Sequence, residues 1–250
     1  MRSLDVRLTR LLLIAGLVAI WELYGRFFAN SALVAPPSQV LLAWGPKIIG
    51  DPRVRAAVGL ALFELATAFA LSVVVGTLLG ILIGLSDLGR RSFYPLVLLL
   101  YAIPQVILLP LFMLLFGIGP AGKIAFGFSH GVFPIIVNTV AGMRNVNPLL
   151  VRGTEALGAS RAEVVRYVIF PHMVTALFAG LRLAMTMTLL GVILAELFVS
   201  TAGIGHFTQL FAESFAPAPL FALIGTLALM AILANELVRL VEARFTRWKE

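Results

Sequence analysis

Apolar residues in this chain gather in long runs, separated by short stretches where charges, Gly and Pro collect. The clear runs are Ala66 to Leu85, Tyr94 to Phe116, Ile124 to Ala141, Val174 to Leu197 and Leu220 to Val238. Each matches or approaches the roughly 20 residues that a helix needs to cross a bilayer. A weaker run, Leu11 to Tyr24, precedes the Pro36-Pro37 break. Behind the charged start "MRSLDVRLTR", it also fits the apolar region of a secretory signal peptide. No A-x-A cleavage site follows, and Trp21 and Tyr24 suit an interfacial anchor, so a retained span is favoured. The pattern predicts an all-α membrane protein of about six transmembrane helices. Residues 1–56 would hold the first helix and an external connection, and residues 57–250 the main transmembrane domain.

Composition agrees. The chain is 60% hydrophobic and 12% charged, about half the charge of a typical soluble domain, so lipid must be the solvent for part of it. With no cysteine, disulfides and thiolate metal sites are excluded. The net charge of +7 comes from basic residues scattered between apolar runs. There is no basic stripe or aromatic platform, which argues against nucleic acid. Of the 19 Lys and Arg residues, Arg182 falls inside the fifth run, and Arg26, Lys47, Arg53, Arg55 and Lys123 fall in alternate connections. The remaining thirteen fall in the other set, which the positive-inside rule assigns to the cytoplasm together with both termini. The long connection from Gly25 to Arg55 is expected to contain a short amphipathic helix along the membrane.

"GIGPAGKI", Gly117 to Ile124, matches most of the phosphate-binding pattern G-x-x-x-x-G-K-[ST], but Ile124 replaces the hydroxyl residue that would hold Mg²⁺. An apolar run of membrane length precedes it in place of a strand, so the stretch reads as a turn between two spans on the outer face. No nucleotide, metal or other cofactor is expected on this chain. Gly76, Gly80 and Gly84 form a four-residue ridge suited to close helix packing, and Gly127 and Gly131 repeat the device. Polar residues inside spans are costly, which makes Gln105, His130, Asn138, Arg182 and Glu196 candidates for a translocation pathway. Interhelical hydrogen bonds are the competing reading for Gln105 and Asn138, and a satisfied core position is the competing reading for His130. Arg182 and Glu196, almost four turns apart on one helix, cannot pair. No nucleophile–base or paired-carboxylate constellation is evident, so no catalytic residue is assigned.

The most informative stretch is "NPLLVRGTEALGASRAEVVRYVIFP", within an internal connection of about 144–172. Asn147-Pro148 is an N-cap followed by the residue favoured at the first helical position. This helix should end at Gly158. Ser160 and Glu163 form a capping box that starts another, and Pro171 should close it. Two short capped helices joined at Gly158-Ala159 make a stiff lever.

The spacing of Gly158 and Pro171 resembles the EAA loop, E-A-A-x-x-x-G-x(9)-I-x-L-P, of permeases from bacterial ATP-binding-cassette importers. "YAIPQVILLPLFMLLFGIG" and "AELFVSTAGIG" are similar to the nitrate/sulfonate/taurine-type branch. The resemblance covers about Ala61 to Gln209. It implies a type I importer fold in the bacterial inner membrane, two permease subunits (a homodimer being favoured), two separate ATPase subunits and an external solute-binding protein. It also implies a coupling helix involving Arg152, Gly153, Thr154, Glu155, Gly158, Ala159, Ser160, Glu163, Phe170 and Pro171. Arg152, Gly153 and Thr154 occupy the E-A-A positions, Val168 and Phe170 replace Ile and Leu, and Glu64 stands where Arg is common in the family. The alternatives are a self-sufficient channel or secondary transporter and, after these, a membrane enzyme.

Overall fold

A computed structural model describes residues 2–245, with side chains from residue 6 onward. Arg247 and Lys249, counted above among the internal basic residues, lie outside the described residues. In chain order the helices are α1 (Arg2–Phe27), α2 (Pro37–Ala43), α3 (Pro52–Gly84), α4 (Asp87–Ser92), α5 (Tyr94–Ala102) and α6 (Leu109–Phe116). They continue as α7 (Pro120–Arg144), α8 (Pro148–Ala156), α9 (Arg161–Val164), α10 (Phe170–Val199), α11 (Ile204–Glu213) and α12 (Pro217–Phe245).

Among the described residues, four helical segments are long and apolar enough to cross a membrane: α3, α7, α12 and the 39-residue stretch Arg161–Val199. The predicted third span is not straight. It is the pair Asp87–Ala102 and Gln105–Phe116, bent by 82°. Pro104 precedes a short 3-10 turn at Gln105–Leu108, and Pro110 sits in the first turn of α6. Their rings and missing N–H groups favour a break there. Counting that pair as one span gives five, against the expected six. The difference is α1, which is continuous over the weak first run and is outside that set. The long connection does contain a short helix, α2, which runs on into a π turn at Trp44–Ile49.

The chain forms two compact units. One comprises residues 1–60 and 201–229. Within it, Glu22 accepts from the Ser38 backbone N–H at 2.9 Å and from the Ser38 hydroxyl at 2.8 Å. The Trp44 indole donates to the Thr226 hydroxyl at 2.8 Å, and Trp21 meets Phe221 edge to face.

The other unit comprises 61–200 and 230–250. Its centre is α7, whose most apolar window is 61% buried, against 22% for α3. The glycine ridge explains the close fit. A Cβ added to Gly80 would lie 2.6 Å from Thr139 Cβ, and one on Gly76 would lie 2.9 Å from Ile135 Cβ. Nearer the start of α7, an added Cβ on Gly127 would meet Val192 of α10 at 2.6 Å and Ala68 of α3 at 3.2 Å. Small residues thus let three helix backbones pack side by side. Outward-facing Leu78, Leu82, Ile232 and Leu240 remain more than half exposed, as expected for surfaces solvated by lipid.

Candidate functional site

The internal connection forms the two short helices expected of it. Asn147 caps α8 by accepting from the Leu149 N–H at 2.9 Å, and Pro148 occupies its first turn. α8 ends at Ala156, and Gly158 adopts φ +91°, a left-handed conformation that glycine enters without steric cost. Ser160 and Glu163 then complete the capping box. The Ser160 N–H donates to Glu163 at 2.7 Å, and the Glu163 N–H donates back to the Ser160 hydroxyl at 3.4 Å.

Pro171 does not end the helix, contrary to the sequence expectation. The chain widens into a π turn at Val165–Ile169, with the Phe170 N–H bonding back to Val165, and Pro171 falls in the first turn of α10. Shifting the hydrogen-bond register just before the proline removes the demand for the N–H it lacks. The lever is therefore joined to α10 through helix. At 1.5 Å per residue the 39-residue stretch from Arg161 is about 58 Å long, well beyond the ~30 Å of a hydrocarbon core, so its first turns can lie outside the membrane.

The surface of this lever is mixed. Arg152, Gly153, Glu155, Gly158, Ser160 and Glu163 are exposed, and Thr154 and Ala159 are half-buried. Large apolar side chains stand out beside them, with Leu149 73%, Leu157 90% and Phe170 51% exposed. A shallow cavity of about 260 Å³ lies between α8 and the π turn with the start of α10, lined by Leu150, Thr154, Tyr167, Val168, Pro171 and His172.

The five polar span residues do not converge. Gln105 and His130 come nearest to one another, both 3.4 Å from the Ser129 hydroxyl. The His130 ring is also buried against Phe126 and 3.0 Å from its carbonyl. Asn138 donates to the Pro134 carbonyl at 2.8 Å, within its own helix rather than across an interface. Arg182 pairs with Glu242 of α12 at 2.7 Å, and its side chain remains 45% exposed.

Glu196 belongs to a cluster that the sequence did not disclose. Lys123, assigned above to an external loop, lies in the first turn of α7 and is 2% exposed. Its ammonium is 2.9 Å from Glu64 of α3 and 3.7 Å from Glu196 of α10, both fully buried. "GIGPAGKI" does turn the chain, with Gly117 at φ +81°, but the helix starts at Pro120, three residues before the lysine. One ammonium thus ties three helices together. Glu64, marked above as a departure from the common Arg, supplied half of the signal. Among the described residues, no group of three or more His, Cys, Asp or Glu is arranged to hold a metal ion.

The sequence profile of the family described as "Binding-protein-dependent transport system inner membrane component" matches residues 76–247. The chain belongs to this family. It is 29% identical over 240 residues to the taurine transport system permease protein TauC of Escherichia coli (strain K12), covering 94% of this chain and 87% of that protein. It is 27% identical over 237 residues to the nitrate import permease protein NrtB of Leptolyngbya laminosa, covering 91% and 84%. An inward-facing structure of the MetNI methionine ABC transporter superposes with a TM-score of 0.67 at 16% identity, covering 78% of this chain and 97% of that one. The fold is that of a type I ABC importer permease, and the chain is a transmembrane permease component of such an importer in the inner membrane. α10, into which the lever continues, carries Glu196 of the buried ion cluster.

Proposed function

We propose that this permease works as one of two identical subunits and moves a small sulfonate-type anion delivered by an external binding protein. ATP hydrolysis falls to separate ATPase subunits that dock on the α8–α9 lever. The observation that carries this reading is the lever itself: it is capped at both helix starts, exposed, and continuous with a spanning helix. Exposed Leu149 and Leu157 offer the apolar anchors that centre a protein interface, flanked by the charges of Arg152, Glu155 and Glu163. Gly153, Thr154, Gly158, Ala159, Ser160, Phe170 and Pro171 shape the same surface. Lys123 is held against Glu64, so it is not available to a phosphate, which supports placing ATP chemistry elsewhere.

Both termini are assigned to the cytoplasm with the lever, on the distribution of basic residues. Residues 1–56 serve as an N-terminal helix and external connection to the transmembrane domain at 57–250. Gln105 and Arg182 face the pathway in this reading, while Glu196 serves chiefly to hold helices together and His130 and Asn138 bond to carbonyls of their own helix. The solute class follows from relatives named for taurine and nitrate, both of which present anionic oxygens. Deleting the gene tests it. Growth on taurine or another alkanesulfonate as sole sulfur source should fail while growth on sulfate persists. Normal growth of the deletion strain on every sulfonate, or failure only on nitrate as nitrogen source, would overturn the sulfonate assignment.

A further inference from the structure

Between the short α4, the start of α5 and the end of α7 lies a cavity of about 510 Å³. Arg90, Arg91, Arg144 and Asn145 line it with Asp87, and Tyr94, Val140 and Ala141 complete the wall. Three guanidinium groups against one carboxylate leave a formal surplus of two positive charges. Arg90 is already engaged: it donates to the Gly84 carbonyl at 2.6 Å and pairs with Asp87. Arg91 and Arg144 are exposed, and neither forms an ion pair among the described residues. The basic wall thus has two forks that form no ion pair among the described residues.

The setting is that of a membrane boundary. α3 and α7 are both long and apolar enough to cross a membrane, and they end here at Gly84 and Arg144. Leu88 of α4, the short element that carries Arg90 and Arg91, and Phe93 just beyond it are 74% and 58% exposed. Soluble anions need no such apolar flank, whereas a lipid brings acyl chains to cover it. Planar guanidinium forks match phosphate oxygens two at a time, and basic pockets between spanning helices are suited to anionic head groups.

We propose that this cavity binds a phosphate group, held by Arg91 and Arg144 with Asn145 as a further polar partner, and that an anionic phospholipid carries that phosphate. The purified transporter complex, delipidated and titrated with phosphatidylglycerol, phosphatidylcholine or inorganic phosphate, tests this by native mass spectrometry. Wild type should hold one phosphatidylglycerol per permease chain at least tenfold more tightly than phosphatidylcholine, and millimolar phosphate should not displace it. Arg91→Gln with Arg144→Gln should lower that affinity by roughly tenfold or more, while Arg7→Gln with Arg10→Gln, an equal change of charge, should preserve it. Arg144→Lys keeps the charge without the fork and should fall in between, which guards against misfolding of the double variant. Equal phosphatidylglycerol binding by wild type and the double variant would overturn the site. Displacement by inorganic phosphate would overturn the lipid as its source. Loss of the ATPase from the double variant with lipid preference intact would make the cavity a protein contact and overturn the proposal.

Discussion

Replacing Lys123 by Met removes the one cation among three buried charges while keeping a similar length of side chain. At an effective dielectric near 20, the 2.9 Å and 3.7 Å separations correspond to attractions of about 6 and about 4 kcal/mol. Desolvation of all three groups offsets much of that, so the cluster adds little net stability compared with an apolar core. Removing one partner is a different matter, because it leaves the remaining buried charges without that counter-ion, at a cost of about 3–5 kcal/mol. The formal charge changes from −1 to −2 in Lys123→Met, but from −1 to 0 in Glu64→Gln. Lys123→Met should therefore be far more damaging, lowering the apparent Tm of the purified protein in detergent by roughly 10 °C for a chain of this size. The triple variant Lys123→Met, Glu64→Gln, Glu196→Gln should recover most of that loss, since no uncompensated charge remains. Fluorescence-detected thermal melts of the four proteins decide the matter. An unchanged Tm in Lys123→Met, or Glu64→Gln proving as harmful, would refute the reasoning.

Three further outcomes are expected. Gly80→Val forces side-chain atoms toward Thr139, 2.6 Å from the first added carbon, and should cost about 1–3 kcal/mol through overpacking; a melt like wild type would mean that α3 and α7 do not pack this closely. Gly158→Leu puts a bulky residue at φ +91°, a strain of about 1–2 kcal/mol. Together with Arg152→Glu it should reduce ATPase co-purification or solute-stimulated hydrolysis, and wild-type coupling in both variants would remove the lever from the mechanism. Arg182→Ala breaks a half-exposed pair with Glu242, so stability should fall by less than about 1 kcal/mol while uptake declines; unchanged uptake by the intact complex would end its pathway role.

What was legible in the sequence was mostly local. Asn147, Gly158, Ser160 and Glu163 set their conformations through neighbours a few residues away, so the two arms of the lever followed from their spacing. Gly76, Gly80 and Gly84 announced close packing because a four-residue period marks one helix face, although the period does not name the partner. The contact that joins Lys123 to Glu64 and Glu196 is long-range, and the glycines and proline before it looked like a loop extending past it. Hydropathy measures how apolar a run is and not its direction, so 94–116 passed as one span although Pro104 and Pro110 bend it by 82°. Pro171 misled in the opposite way. A proline normally stops a helix from its N-terminal side, and the π turn that admits it has no simple sequence signature.

The central claim is that this permease moves solute only when a separate ATPase works through the α8–α9 lever. Uptake of radiolabelled taurine into proteoliposomes, with the chain alone and with its ATPase and binding protein, tests that claim most directly. The account predicts uptake only with both partners and ATP present, and loss of uptake when Gly158→Leu replaces the wild-type chain. Ion-gradient-driven uptake by the chain alone, with no requirement for ATP, would contradict it.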